Sequence, residues 1–328
     1  MRVIVGDGAI NKTKGLFTEL GLKGNSLVLS DVNTFQVAGE KIASDLSSES
    51  LVFKGSMGEG IESAIKKISR EGIDFVVGVG GGSIIDSAKV CAFKTRIPYA
   101  SIPTSAAHDG ITSPQASIPG DKPVSMRVHS PLAIIADTEV IRKAPFRLLA
   151  SGCADSVSNY TAVLDWELAK KERGEYYGDY AASLSMMSAK IVMGNAGKIH
   201  DDVSILVESL ISSGVAMGIA GSSRPCSGSE HQFSHAMDLL CPGSSLHGEQ
   251  CGVGTIMMAY LHDADWEKIR DVLQVIGAPT TAKDLGVDDK CIIEALMKAH
   301  EIRDRYSILR DGLSRGEAMD LAEKTGVI

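Results

Sequence analysis

The sequence predicts two domains: an α/β nucleotide-binding domain built on a parallel sheet, then an all-α domain. Three observations carry that expectation. Short apolar runs alternate with helix-period stretches in the N-terminal part. A glycine-rich loop leaves the most apolar of those runs. Beyond about residue 138, strand-like runs nearly disappear and long helical patterns take over. A chain of 328 residues has room for about two domains. The change of pattern puts their boundary near residue 145 and divides the chain into 1–145 and 146–328.

Taken in order, Arg2–Val5, Ser26–Ser30, Leu51–Lys54, Ile73–Val79 and Tyr99–Pro103 read as strands. Ile73–Val79 is the clearest, because a continuous apolar run suits a strand buried on both faces. Glu59–Glu71 places Ile61, Ala64, Ile65 and Ile68 on one side of a helix. Ile84–Lys94 forms a second helix. Asp121–Asp137, with Pro123 and Pro131, bridges the two regimes. Helices are then expected at Ala150–Arg173, Tyr177–Ile191, Val203–Ala220, Glu230–Leu240, Gly252–Tyr260 and Asp265–Ile276.

Composition narrows the function classes. Hydrophobic residues are 44% and charged residues 23%, as in ordinary globular chains and unlike disordered or collagen-like ones. The 34 glycines suit tight turns and close backbone approach. A net charge of −8 leaves no basic excess to neutralise a duplex, so no nucleic-acid partner is expected. A small phosphorylated ligand is compatible with that charge, since one helix N-terminus can hold a phosphate. No apolar stretch approaches a membrane span, and MRVIVGDGAI lacks the apolar core of a signal peptide. The six cysteines, Cys91, Cys153, Cys226, Cys241, Cys251 and Cys291, contain no C-x-x-C. They are expected as reduced thiols of a cytoplasmic protein, with no zinc–thiolate cluster.

Three stretches carry chemistry. The first is Gly78-Val-Gly80-Gly81-Gly82-Ser83-Ile84-Ile85-Asp86, running on to Lys89. Its glycines allow close approach to a pyrophosphate, and the following helix offers free amides and a positive dipole end. It departs from the usual dinucleotide fingerprint: it lies after about three strands, and the third glycine falls at Ser83. Asp31, just past the second strand, suits either a ribose hydroxyl or a helix cap. The second stretch, Ser101 to Pro114, leaves a strand end and is rich in hydroxyls, with one His108–Asp109 pair. The third is a histidine cluster. His231 and His235 lie one helical turn apart, and His247 follows a Pro242–Gly243 turn. With Asp155 on another helix, these residues make a candidate metal site with an open position.

The order of these motifs resembles the superfamily of dehydroquinate synthase, glycerol dehydrogenase and iron-type alcohol dehydrogenases, over nearly the whole chain. Within it, Thr104-Ser105, His108-Asp109-Gly110, Ser113-Pro114, Gly228-Ser229-Glu230-His231, His235-Ala236 and His247-Gly248-Glu249-Gln250 are most similar to the sn-glycerol-1-phosphate dehydrogenase family. The resemblance implies a dehydroquinate synthase-like fold and reversible reduction of dihydroxyacetone phosphate to sn-glycerol 1-phosphate, for archaeal ether-lipid synthesis. It implies Asp155, His231 and His247 as zinc ligands, with iron or nickel also suited to these donors. It implies Asp109, Asp155 and His235 as substrate-contacting and catalytic positions. His235 is then either a proton donor or relay, or a group that orients a metal ligand. The NAD or NADP positions are Gly80, Gly81, Gly82, Ser83, Ile84, Ile85, Asp86, Thr104, Ser105, Ala106, Ala107 and Ser113, with Asp31 at the ribose. Ala107 stands where the family more often carries serine, so one cofactor hydrogen bond is not expected here. Asp31 at a ribose would repel a 2′-phosphate, which favours NAD. A homo-oligomer is also implied.

Three competitors are kept. Glycerol dehydrogenase would share the metal site and act on unphosphorylated glycerol. Dehydroquinate synthase, a lyase, carries a Gly-Gly-Lys-Thr string after its P-T strand, whereas Ile111 to Gly120 has no Lys or Arg. A nucleotide-binding regulator would not need Asp155, His231 and His247 together. For the substrate phosphate, Lys89, Arg127, Arg142 and Arg224 are candidates without geometry.

Overall fold

Alternating apolar runs in the first part build a sheet with both faces covered. In the computed structural model, residues 1–118 and 124–328 are described. The chain divides into two units, Met1–Pro145 and Phe146–Ile328. The first unit runs β1 (Arg2–Gly6), α1 (Thr13–Glu19), β2 (Ser26–Asp31), α2 (Val32–Thr34), α3 (Glu40–Leu46), β3 (Glu49–Phe53), α4 (Met57–Glu71), β4 (Phe75–Gly80), α5 (Gly82–Thr95) and β5 (Tyr99–Pro103). It continues with β6 (Gln115–Ile118), β7 (Val124–Arg127), β8 (Ala133–Asp137) and α6 (Thr138–Arg142). Among the described residues, six parallel strands form one sheet in the order β1-β8-β5-β4-β2-β3.

The central strands are buried on both faces, and successive side chains alternate between those faces, as the two-residue period of a strand requires. Leu27, Leu29 and Val76 pack with Ile61, Ala64 and Ile68 of α4 and with Ile84 and Ala88 of α5. Val28, Val77 and Val79 face the other way, onto Leu16 and Phe17 of α1 and Ile42 of α3. Two glycines of β4 let α5 come close. A Cβ on Gly78 would lie 2.8 Å from that of Ala88, and one on Gly80 would lie 2.7 Å from that of Ile84.

The five strands expected from sequence are present, with ends shifted by up to two residues. Two features were missed. Ala133–Asp137, placed in a bridging stretch, is the strand β8 between β1 and β5. β6 and β7 pair antiparallel. The remainder of the bridging stretch at 121–123 lies outside the described residues.

The second unit is helical: α7 (Phe146–Arg173), α8 (Asp179–Gly194), α9 (Ser204–Ala220), α10 (Ser229–Leu240), α11 (His247–Leu261), α12 (Trp266–Ile276), α13 (Ala282–Leu285), α14 (Asp289–Lys298) and α15 (Arg315–Lys324). α11 begins five residues before the expected Gly252. Its HGEQCGVG start looks like a helix breaker, but close packing selects those glycines. A Cβ on Gly248 would fall 2.1 Å from the carbonyl oxygen of Ser151, and one on Gly252 would fall 2.9 Å from the Cβ of Ala154. Both neighbours belong to α7.

One expectation is corrected. Cys241 and Cys291 form a disulfide, while Cys91, Cys153, Cys226 and Cys251 are buried outside that bridge. The partners are 50 residues apart in sequence, so spacing could not reveal the pair. They meet because α10 packs beside α14. Among the described residues no helix is long and apolar enough to cross a membrane.

Candidate active site and metal centre

Three helices of the second unit bring the candidate metal donors together. Asp155 lies within α7, His231 in the first turn of α10, and His247 opens α11. Asp155 Oδ1 stands 3.8 Å from His231 Nε2 and 3.8 Å from His247 Nε2. The two imidazole centroids are 4.9 Å apart. Cys251, one turn after His247, brings its Sγ to 3.6 Å from His247 Nε2. One donor atom from each of the four residues lies within 4.8 Å of the others. Cys251 was not among the metal candidates read from sequence, although it stands at i, i+4 from His247.

Hydrogen bonds behind the rings orient them. His231 Nδ1 donates to Glu230 Oε1 at 2.8 Å. The Ser234 hydroxyl donates to Gln250 Oε1 at 2.7 Å, so its oxygen accepts from His247 Nδ1 at 3.0 Å. With Nδ1 carrying the proton in each ring, both Nε2 atoms present lone pairs toward the Asp155 carboxylate. Three acceptors aimed at one point are the donor set of a cation. Ligand atoms about 2.1 Å from a tetrahedral ion stand about 3.4 Å apart. The 3.8 Å separations therefore need only small side-chain rotations to close on one ion. Burial, with the cationic Arg303 and Arg305 nearby, holds His231 well below the ordinary histidine value.

The turn that starts α10 is tightly fixed. Glu230, fully buried, accepts from the Gly228 amide at 2.6 Å and from Thr161 Oγ1 at 2.8 Å. Its desolvation, with the Asp165 charge beside it, pushes the carboxyl up to about 7. Asp165 accepts from the Ser229 amide at 2.6 Å, the Ile308 amide at 2.7 Å and His262 Nε2 at 3.0 Å. The glutamate of the HGE string has a similar role. Glu249 is 3% exposed, accepts from the Leu246 amide and takes a two-pronged pair from Arg147 at 2.6 and 2.7 Å.

His235 lies beside the metal donors, its ring centroid 5.7 Å from that of His247 and 6.5 Å from that of His231. Arg303 Nη2 sits 2.8 Å from His235 Nε2. A guanidinium only donates, so Nε2 is an acceptor here and the ring proton is on Nδ1. Nδ1 faces Asp238 Oδ2 at 3.9 Å.

The expected cofactor residues gather in the first unit, at the carboxyl ends of neighbouring strands. β2, β4 and β5 are adjacent, and Gly80 pairs with Pro103. Asp31, the glycine loop and the Thr104–Ser113 loop therefore leave the same sheet edge side by side, where open α/β sheets bind ligands. The Thr104 amide donates to Gly80 O at 3.0 Å. Gly81 is the N-cap of α5, and no side chain caps that helix. Ser83 is exposed in its first turn. Ile84 and Ile85 point their side chains into the core, and their amides bond to Gly81 O. Any ligand contact by these two therefore falls to other backbone atoms.

Asp86 accepts from Lys89 Nζ at 2.8 Å and from the Ser117 amide at 2.9 Å. Ala106, Ser105, Thr104 and Ser113 are buried, and Ala107 is half-buried. Asp31 caps α2: its Oδ1 accepts from the Asn33 and Thr34 amides at 2.9 and 2.8 Å. The helix-cap role is thus realised, and both bonds go to one carboxylate oxygen. A Cβ on Gly82 would lie 1.8 Å from His108 Nε2, so only glycine leaves room for that imidazole.

Asp109 lies in the turn after His108. Desolvation, opposed by Lys89 and reinforced by Asp86, pushes its carboxyl up to about 7. The folded protein then holds this proton at pH values where the unfolded chain has released it. Stability falls as pH rises from about 4 toward 7. Asp109→Asn removes that loss, so its gain in Tm over the parent is expected to be larger at pH 8 than at pH 4. Equal gains at both pH values would show that Asp109 titrates normally.

Most of the sequence candidates for a substrate phosphate are engaged elsewhere. Lys89 is fully buried between Asp86 and Gln115 O. Arg142 pairs with Asp7, and Arg224 pairs with Glu175 through a fork and with Tyr306 O. Arg127 is exposed on β7.

Comparison with known proteins agrees across levels. Residues 4–145 match the family model for iron-containing alcohol dehydrogenase. The chain is 49% identical to the glycerol-1-phosphate dehydrogenase [NAD(P)+] of Methanosarcina mazei, covering 99% of this chain and 95% of the relative. It is 50% identical to the enzyme of that name from Thermococcus kodakarensis, covering 99% and 96%. The glycerol dehydrogenase structure from Schizosaccharomyces pombe shares the fold, with a TM-score of 0.82 at 21% identity, over 99% of this chain and 88% of that one. The sulfoacetaldehyde reductase of Bifidobacterium kashiwanohense, solved with NAD+, has a TM-score of 0.78 at 15% identity, over 99% and 96%. With full-length relatives near half-identical and a dehydroquinate synthase-like fold, the chain belongs to the glycerol-1-phosphate dehydrogenase family.

Proposed function

We propose that the protein reduces dihydroxyacetone phosphate to sn-glycerol 1-phosphate, reversibly, with NADH or NADPH. The observation that carries this is the convergence of Asp155, His231 and His247 on one point, in a chain half-identical over its length to enzymes of that name. The first unit, 1–145, is the NAD(P)-binding domain, and 146–328 is the metal- and substrate-binding domain.

Asp155, His231 and His247 hold the metal, which we assign as zinc; iron and nickel suit the same donors. When bound, the ion supplies polarisation of a carbonyl oxygen. A bound nicotinamide supplies the hydride. Gly80 to Asp86, with Thr104, Ser105, Ala106, Ala107 and Ser113, line the cofactor position. The side-chain-free cap of α5 is suited to a pyrophosphate. Asp31 retains a carboxylate at that sheet edge, which favours NAD over NADP. Asp109 and His235 bind the substrate. His235 also takes part in moving a proton, and Arg303 must first release its Nε2.

We place the enzyme in the cytoplasm, with its product directed to archaeal-type ether lipids, on the family resemblance. A homo-oligomer belongs to the same proposal. Tyr180, Met187 and Ile191 of α8, exposed at 72%, 49% and 40%, support it.

The test follows nicotinamide absorbance with zinc-loaded protein and either dihydroxyacetone phosphate or dihydroxyacetone, then chiral analysis of the product. Rapid consumption with the phosphate and an sn-1 product is expected. Consumption with dihydroxyacetone alone would instead point to a glycerol dehydrogenase, and none with either would sink both substrate assignments.

A further inference from the structure

We propose that Arg303 is the anchor for the substrate's phosphate, and so the residue that makes the enzyme choose the phosphorylated triose. This rests on the substrate assigned above.

Cations near the metal donors differ sharply in what they already hold. Arg147 is spent on Glu249 and Arg224 on Glu175. Arg305 is turned away, donating to the Ser227 carbonyl and to Ser223 Oγ, where it braces the turn that starts α10. Arg303 is different. Like Arg305 it has no carboxylate within ion-pair distance among the described residues, but where Arg305 donates to two oxygens, Arg303 meets the His235 ring. Yet it is half-buried, and desolvation lowers its pKa. A guanidinium withdrawn from water without an anion is costly unless a ligand supplies one.

Its position suits this ligand. Only a methylene and an ester oxygen separate the phosphorus of dihydroxyacetone phosphate from its carbonyl carbon. A group that holds the phosphate must therefore sit within a side chain's reach of the metal donors. Arg303 meets that condition through His235, whose ring lies 5.7 Å from His247 and 6.5 Å from His231. Before the substrate arrives the bond to His235 Nε2 orients the planar fork; the remaining N–H groups are the kind that take two phosphate oxygens together, after which Nε2 is released. His235 is then both a substrate contact and the positioning group for its neighbour. No motif announces Arg303: Glu301-Ile-Arg303-Asp304-Arg305 looks like an ordinary charged surface run.

The experiment measures Arg303→Ala and Arg303→Lys with dihydroxyacetone phosphate and dihydroxyacetone. Metal content and inhibition by inorganic phosphate are measured on the same preparations. In Arg303→Ala the ratio of kcat/KM for the phosphate over the unphosphorylated ketone is expected to fall about 100-fold, from two lost charge-assisted hydrogen bonds. The fall should come mainly from KM. Inorganic phosphate should inhibit the parent competitively and the variant at least about tenfold more weakly. Lysine should restore part of both, and bound metal should be kept. If both substrates lose activity in parallel, or the ratio does not change, Arg303 acts only through His235 and the anchor is overturned. If alanine does not fold, Arg303→Gln, which keeps bulk and a neutral donor, is judged by the same ratio. A parent that ignores the phosphate substrate would instead overturn the function proposed above, and the anchor with it.

Discussion

His247→Ala is expected to release the bound metal and to lower kcat/KM for dihydroxyacetone phosphate by about 1,000-fold or more, while the protein stays folded. Its ring supplies one of three acceptors converging on the site. Losing several kcal/mol of carbonyl polarisation translates into a factor of that size. The fold should survive because the side chain is 35% exposed and His247 is the first residue of α11. Metal analysis, steady-state kinetics and a thermal melt on one preparation separate the outcomes. A destabilised variant with metal-independent residual activity would mean that His247 serves packing rather than a metal.

Gly248→Ala should act on the same centre from the backbone. Its Cβ would fall 2.1 Å from the Ser151 carbonyl oxygen and 2.7 Å from Ser151 Oγ. Backbone cannot yield as a flexible side-chain end can, so α7 and α11 must separate. Overpacking of this kind costs about 1–3 kcal/mol or more. Ser151 lies one turn before Asp155, and Gly248 adjoins His247. Separating the helices therefore pulls apart Asp155 and His247, two of the residues proposed to hold the metal. A Tm lower by several degrees and zinc affinity at least about tenfold weaker are expected, since outer-shell disruption typically costs 10–100-fold. Gly316→Ala in α15 is the control: nothing lies within 4 Å of its added Cβ, so it should be neutral or stabilising. A Gly248 variant that melts and binds zinc like that control would refute the close-approach argument.

The sequence made the central strands legible because burial on both faces leaves an uninterrupted apolar run. It made the His231–His235 pair legible because residues at i, i+4 must share a helix face. β8 was hidden by Pro131 and by its place in a stretch that reads as a linker. The start of α11 was hidden for a related reason: Gly248 and Gly252 look like breakers when only propensity is weighed, and contact with α7 outweighs that propensity. Asp31 shows a second limit. A carboxylate at a strand end satisfies the pattern for a ribose contact and for a helix cap alike, and only geometry showed that the cap is made. Cys251 stands at i+4 from His247, a spacing that goes unread when the start of α11 is missed, whereas Arg303 had no legible signal, since its His235 partner lies 68 residues away in the chain.

The Cys241–Cys291 bridge has a topological consequence. It turns the segment between them into a closed ring that contains His247 and Cys251, while Asp155, His231 and His235 lie outside it. A single backbone cut in that ring, for instance at the exposed Asp263 and Asp265, would leave two fragments covalently joined. One fragment would carry Asp155 and His231, and the ring remnant attached to it would still carry His247. In reductant the same nick would divide the molecule between α11 and α12. Resistance to proteolytic clipping is thereby coupled to the thiol–disulfide state of a pair that touches none of the chemistry.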